Sequence, residues 1–411
     1  MSRRILLITL LTIIGWSQLT AQEVLTLEKA LEVAFQHSPA LIQSKISLEQ
    51  QQLNLKAQNA SLKSQFSLDV NPFNYTRNNQ YDNYNSRWYA NESMSSSASL
   101  GIVQPIKWTD GTISLINDLS WQDASNKTDN RKSTSFNHNL SLRLEQPLFT
   151  YNRTKMQLKE LEYALENAKI SYAMQELNIE KQVTTQFYEV YQKQKDLNTA
   201  KDEYNNQKQN YEIIKNKVEA GLVAKEEQFQ AEVNLATSES AVYNAEISYE
   251  NTKDNFKLLL GVSLDEDIMV LPNTAINTIN VNSMDAVKYA LDQRMELRQK
   301  EITLEEDLFS IIRAKSENEF KGSISARIGL DALAGKVKDM YSNPTDNEQI
   351  GVSLNIPIFD WGAKKARVKS SELAMESNKV DFEEEKKNII LEVRQICRNL
   401  PTLIRQIEIK K

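Results

Sequence analysis

The stretch NIPIFDWGAKKARVKSSELA, Asn355 to Ala374, changes period in mid-course. Its first half alternates apolar and polar residues like a strand, and its second half is charged and patterned like a helix. Pro357, Phe359 and Gly362 stand at the joint. A second stretch, SLRLEQPLFTYNRTKMQLKELEYA, Ser141 to Ala164, makes the same change, with Pro147 and Phe149 at its joint and Asn152 where the later copy has glycine. A proline suits both places, because it cannot extend a strand ladder but tolerates a helix start.

Outward from the joints, the chain is duplicated. LTLEKALEVAFQHSPALIQSKISLEQQQLNL, from Leu25, aligns without a gap on VNSMDAVKYALDQRMELRQKEITLEEDLFSI, from Val281, at an offset of 281 − 25 = 256. Ala30 meets Ala286, Ala34 meets Ala290, Leu41 meets Leu297 and Ile46 meets Ile302. Apolar spacings of three and four predict amphipathic helices in both copies. Each copy continues into alternating segments, a joint and a long polar helix.

The alternating segments predict strands over about 65–148 in the first copy and about 321–359 in the second. The first copy carries four of them, and WTDGTISL, from Trp108, reads as a turn between two extra strands within 97–123. One side of each strand is apolar and the other is serine, asparagine or charge. A transmembrane barrel gives this alternation. A soluble sandwich gives it too, and alternation alone favours the sandwich. NPFNYTRNNQYDNYNSRWYANESM, from Asn71, and NPTDNEQ, from Asn343, read as polar loops, either the outer loops of a barrel or ordinary surface loops.

From Thr154 to Val270 there is no proline, and glycine occurs only at Gly221 and Gly261. Val190, Leu197, Tyr204, Tyr211 and Val218 are spaced by seven, as are Leu235, Val242, Tyr249 and Phe256. Heptads on both sides of one glycine predict an antiparallel helical hairpin over 150–260 with its tip near 221. At that tip Gly221, Leu222 and Val223 fit either a docking point or a plain tight turn.

The remaining features exclude several classes. With 411 residues, the chain has only 10 Gly and 8 Pro, which favours long uninterrupted elements. A formal charge of −6 and no basic stripe argue against nucleic acid. Residues 1–21 have the order of a secretory signal peptide: Arg3 and Arg4, an apolar run from Ile5 to Trp16, then a short polar segment. Its removal leaves −6 − 2 = −8. The single Cys397 cannot form an intramolecular disulfide. No later segment could span a bilayer as a helix, so any span must use strands. His37 and His138 have no partner at ligand spacing, and no nucleotide or nucleophile motif occurs. The expectation is no enzyme, no catalytic residue, no cofactor and no metal.

The signal segment, the duplicated halves, the QPLF and IPIFDWG joints and the AGLVA tip together resemble the TolC-like outer-membrane efflux proteins, over nearly the whole chain from Leu25. The resemblance implies a mainly helical chain with strands. Three copies would form one conduit, with a twelve-stranded barrel built from four strands of each protomer in the outer membrane and a helical tunnel in the periplasm. Pro147, Phe149, Pro357, Phe359 and Gly362 match the strand-to-helix joints. Gly221, Leu222 and Val223 match the tip that docks a periplasmic adaptor protein, through which an inner-membrane pump is engaged indirectly. Lipid and a second and third copy of the chain are the other implied partners. The predicted layout is a signal peptide (1–21), a first repeat (22–262), a linker (263–280) and a second repeat (281–411). That second repeat has a descending helix over 363–411, which Pro401 should interrupt. A copy of the first tip would fall near 221 + 210 = 431, so the expectation is a truncated second repeat that lacks its return helix, exposes an apolar seam on the descending one and has no residues to close a periplasmic aperture. The rival readings are a periplasmic coiled-coil structural protein, a periplasmic adaptor and a non-functional channel fragment.

Overall fold

The computed structural model describes residues 23–84, 86–126, 131–273 and 279–410, and the predicted signal segment lies outside them. The described residues begin with β1 (Glu23–Leu25), α1 (Leu27–His37) and α2 (Pro39–Ser61). Four long strands follow: β2 (Gln65–Asp82), β3 (Arg87–Ile106), β4 (Gly111–Asn126) and β5 (Arg131–Leu148). Then come α3 (Arg153–Glu219), α4 (Lys225–Leu260) and β6 (Ile268–Val270). The last part is α5 (Ser283–Gln293), α6 (Met295–Ser316), β7 (Lys321–Ala334), a 3-10 turn (Val337–Tyr341), β8 (Thr345–Asn355) and α7 (Ala363–Lys410).

The duplication is visible in the helix starts. α1 and α5 begin 283 − 27 = 256 residues apart, and α2 and α6 begin 295 − 39 = 256 apart. Thr26 caps α1 by accepting from Lys29 N at 3.3 Å, and Asn282, also 256 later, caps α5 by accepting from Met284 N at 2.9 Å. These side chains satisfy amide groups that have no partner inside their helix. The compact units, however, cut across the repeats. One unit holds residues up to Leu48 with Ala168–Asn280; the other holds Glu49–Asn167 with Val281–Lys411. The stretch 263–280, read as a linker, contains β6.

In the first unit, Ile179, Val183, Phe187 and Val190 of α3 meet Phe256 and Leu260 of α4. Ala30 and Ala34 give α1 a small-residue stripe on the same cluster. β1 pairs in parallel with β6 and adds Leu25, Ile268 and Val270. Gly261 ends α4 in the left-handed region, φ +74°, with Val262 N donating back to Lys257 O. This is the six-to-one bond of a glycine-terminated helix. Lys253 and Lys257 are buried beside it. Lys253 pairs with Glu250 and Asp267, and Lys257 pairs with Asp254 and donates to Leu264 O. Burial alone would lower the Lys253 pKa, but the Glu250 and Asp267 carboxylates outweigh it and hold the ammonium above its ordinary value. Farther along the hairpin, the heptad residues Leu197, Tyr204, Tyr211, Leu235, Val242 and Tyr249 are all buried or half-buried.

In the second unit, one six-stranded antiparallel sheet has the order β2-β3-β4-β5-β7-β8. The resemblance implies four strands from each protomer, but this sheet holds six, because β2 and β3 lie in the same ladder as the other four. The Asn- and Tyr-rich stretch from Asn71 was expected to be loop. It is mostly strand: β2 continues to Asp82 and β3 starts at Arg87. Cross-strand pairing from Asn74↔Ser95 to Asp82↔Arg87 outweighs the poor strand propensity of asparagine. Pro72 falls at a register shift between Asn71 and Asn74, on an edge strand, where its missing N–H is tolerated. The segment from Asn343 is likewise strand from Thr345 onward.

The helices that join the sheet at one end meet one another in matching order. Gln58 of α2 donates to Gln157 of α3. α3 meets α6 through the Tyr163–Phe309 ring stack and the Arg298–Glu166 pair at 2.7 Å. α6 meets α7 through Asn378 donating to Asp307 at 2.8 Å and through Arg294–Glu392 at 2.7 Å. Pro401 does not interrupt α7, which is continuous past it. One missing N–H is a local defect that a long helix can carry. Leu373, Val380, Leu391 and Ile396 of α7 are exposed.

Candidate functional site

The two faces of the sheet differ in chemistry. Phe66, Ile102, Leu115, Leu142 and Ile328 share one register row, so their side chains share a face. The next row but one toward the loops runs Leu68, Leu100, Asn117, Leu140 and Leu330 on that same face. The opposite face carries Ser99, Asp118, Asn139, Asp331 and Thr345 in one row and Ser114, Arg143, Arg327 and Gln349 in another. Asp331 gathers the polar face together: Asn139 and Asn347 donate to it, and Arg327 lies 3.9 Å away. On the other face Phe66, Leu68, Ile350 and Val352 are each more than 60% exposed. A soluble sandwich would cover them. A bare apolar band backed by an ionic network is the pattern of a strand wall between lipid and water.

Aromatic side chains mark both ends of this wall. Trp108, Phe149, Phe359 and Trp361 are exposed at the joint end, and Tyr81, Tyr84, Trp88 and Tyr341 at the other. Such girdles flank the apolar band of outer-membrane barrels.

At the joint end, Pro147 closes β5 opposite Ser323, and Phe149 turns the chain at φ +62°, its ring against Phe320 at 5.1 Å. Asn152, standing where glycine was expected, caps α3 by accepting from Lys155 N at 2.7 Å, and its Nδ2 donates to Lys107 O and Trp108 O. The role explains the exchange, since asparagine is among the best helix caps. Asp110, in the β3–β4 turn, accepts from Thr154 N at 3.0 Å and pairs with Arg153 at 3.5 Å. The β3–β4 turn therefore fastens the start of α3. Asp110 was not singled out from sequence; the Asp-Gly turn dipeptide and the helix start are legible, but their meeting across 44 residues is not.

The second joint solves the same problem differently. Pro357 and Phe359 lie past the end of β8, and the reversal falls on Trp361, φ +55°, and Gly362, φ +84°. Phe359 packs edge-on against Trp361 at 4.8 Å. Asp360 accepts from Gly362 N and Lys364 N, both at 2.9 Å. The amides of Lys364 and Gly362 hold the Asp360 carboxyl below its ordinary value. Because the folded pKa is depressed, this cap's stabilisation is present above the ordinary carboxylate pKa and is lost as pH falls through the lower folded value. Amide exchange at Gly362 and Lys364, followed from about pH 6 to about pH 2, should therefore accelerate beyond the intrinsic rate at the acid end. Asp360→Ala should remove that pH dependence, and an unchanged profile would refute the cap. The two joints occupy one end of the sheet, where Leu148, Gly322 and Leu354 stand in register.

The hairpin tip belongs to the first unit. Gly221 adopts φ +71°, with its N–H donated to Val218 O at 2.9 Å and Leu222 N to Lys217 O at 2.8 Å. Leu222 is exposed, while Val223 is half-buried. No heavy atom lies within 4 Å of a Cβ built on Gly221, so the glycine serves the turn and not a close approach.

Among the described residues, no cluster of His, Cys, Asp or Glu could hold a metal ion, and no helix is long and apolar enough to cross a membrane. His138 has its Nε2 2.7 Å from Asn117 Oδ1 and its ring against Tyr341. Cys397 is half-buried and free.

A strand wall with an apolar outer face, continued by helices, is the architecture of an outer-membrane channel protomer. The family model described as outer membrane efflux protein matches residues 112–262 and 310–411, and the chain belongs to that family. The family's channels are transport conduits without catalysis. Among solved structures, CusC, studied for folding and transmembrane channel formation, aligns with a TM-score of 0.65 at 12% identity, over 93% of this chain and 77% of its own. The Campylobacter jejuni CmeC outer membrane channel aligns with 0.60 at 16%, over 87% and 67%. The outer membrane protein VceC of Vibrio cholerae aligns with 0.63 at 14%, over 93% and 80%. At these identities the likeness is one of fold. Among curated proteins none matches.

Proposed function

We propose that three copies of this chain form a passive conduit in the outer membrane, the channel component of a tripartite efflux or type I secretion system, with the helical part in the periplasm. The two-faced sheet carries this reading: the exposed Phe66, Leu68, Ile350 and Val352 stand against lipid, and Arg143, Arg327, Asp118 and Asp331 line water. Lining charges of both signs bias which solutes pass. The open cleft beside the second joint, with Phe359, Lys364, Lys365 and Lys369 on its walls, suits the headgroup level, where aromatic and basic side chains anchor. Family membership and the shared fold support an efflux role. The purified oligomer should conduct in a planar bilayer and fractionate with the outer membrane; recovery only from the soluble periplasm would sink the reading.

Gly221, Leu222 and Val223 form the tip that docks a periplasmic adaptor. Leu222 supplies an exposed apolar contact, and the left-handed Gly221 aims it. Gly221→Pro cannot reach φ +71° and loses the bond to Val218 O. It should abolish adaptor cross-linking at the tip and leave membrane insertion intact. Lost insertion would mean that the tip has been misread.

A further inference from the structure

Two strands of the six-stranded sheet have an open edge, β2 on one side and β8 on the other. Both carry exposed apolar residues up to that edge: Phe66, Leu68 and Val70 on β2, and Ile350, Val352 and Leu354 on β8. An open edge is not viable in hydrocarbon, where unpaired N–H and C=O groups find no water. Six strands are also too few to close alone, since membrane barrels begin at about eight. We propose that β8 of one copy pairs with β2 of the next, and that three copies close a barrel of 3 × 6 = 18 strands rather than twelve. The proposal rests on the channel reading above.

Four features support it. The first is parity. Neighbouring strands run antiparallel throughout, so with an even count β8 runs opposite to β2. Edge-to-edge joining therefore preserves an all-antiparallel ladder, as bacterial barrels require.

The second is tilt. Leu68, the centre of the β2 triad, is in register through Leu100, Asn117, Leu140 and Leu330 with Asp346. The centre of the β8 triad is Val352, so the apolar band slips by 352 − 346 = 6 residues across five strand steps. At ~3.3 Å per residue and ~4.8 Å per step, that slip is ~20 Å over ~24 Å, a tilt of ~40°. Closed membrane barrels tilt by about 35–45°.

The third is where the addition sits. β5, β7, β8 and nearly all of β4 fall within the residues that match the family, whereas β2 and β3 fall outside them. Yet β3 pairs with β4 along its length, from Asn91↔Asn126 to Ile106↔Gly111. The added hairpin widens the wall instead of lying apart from it.

The fourth is width. Six strands tilted by ~40° occupy ~38 Å of circumference. The parts of α2, α3, α6 and α7 that belong to the sheet's own unit stand four abreast and, at ~10 Å each, occupy ~40 Å. The helical layer thus matches six strands, where four would span only ~25 Å. A barrel of this count leaves an aqueous channel.

Keeping the apolar band level places Val352 of one copy opposite Leu68 of the next. In a Cys397→Ser background, Val352→Cys should be combined in turn with Phe66→Cys, Leu68→Cys and Val70→Cys and oxidised in outer membranes. The Leu68 pair, or a neighbour two residues off, should yield a covalently linked trimer on a denaturing gel. Native mass measurement of the unsubstituted oligomer should give three chains, and electron microscopy should count eighteen strands, which keeps the test intact if a cysteine variant misfolds. Conduction by an oligomer of two chains, or by one whose β2 and β8 cysteines never couple, would overturn the closure and leave the channel reading standing. A chain that neither fractionates with the outer membrane nor conducts would remove both.

Discussion

Gly261→Ala should destabilise the core of the first unit by about 3 kcal/mol, combining a left-handed backbone penalty with overpacking. The backbone at Gly261 has φ +74°, and a Cβ built there lies 2.1 Å from His37 O and 2.6 Å from His37 C. Neither atom can swing aside, because both belong to the main chain at the last residue of α1. Relief requires the end of α4 to move away from α1, which would open the seam over Ala30, Ala34 and Leu260. Gly221→Ala is the control. Its φ of +71° imposes a similar backbone penalty, but nothing lies within 4 Å of the new methyl group. It should cost about 1 kcal/mol, confined to the tip. Hydrogen exchange of the α1 and α4 amides reads the difference directly: about a hundredfold acceleration for Gly261→Ala and little change for Gly221→Ala. Equal effects of the two would show that the contact with His37 does not constrain the fold.

Phe187→Ala should cost the same core about 3–5 kcal/mol. Phe187 is fully buried, with Phe256 edge-on at 6.2 Å and Tyr188 at 5.6 Å. Around it stand Ile179, Val183 and Leu260, side chains of α3 and α4 that cannot all close over a missing ring. Phe187→Leu retains most of the volume and should cost about 1.5 kcal/mol or less. Leu177→Ala, on the same helix but exposed, should stay within about 0.5 kcal/mol. Urea unfolding in detergent, monitored through exchange of the α4 amides, should return that order. Additional loss on combining Phe187→Ala with Phe256→Ala should fall short of the sum, because the two rings share one contact.

Much of this architecture is written in short-range pattern. The duplication is legible because helices repeat every 3.6 residues and caps sit at fixed offsets, so Thr26 and Asn282 announce helix starts 256 apart. The hairpin is legible because Gly221 separates two heptad series, and the joints because a proline and a change of period stand within a few residues of each other. The tip residues and joint residues could be named from sequence for the same reason. What each joint does with its backbone could not. Phe149 itself turns through the left-handed region in the first copy, whereas Trp361 and Gly362 do so in the second.

Tertiary structure alone decided the rest. Residues 71–94 are polar enough to read as loop, yet most of them are strand, because the β2–β3 ladder pairs them from Asn74↔Ser95 to Asp82↔Arg87. β5 and β7 pair Leu140 with Leu330, 190 residues away, and no local pattern encodes that choice. The number of strands in one wall, and the bareness of its apolar face, follow from such pairings. Asp110 reaches the start of α3 for the same reason. Period and turn chemistry act over a few residues and survive in the sequence. Pairing and exposure are free-energy differences of the whole chain, settled only when distant segments compete for the same backbone hydrogen bonds.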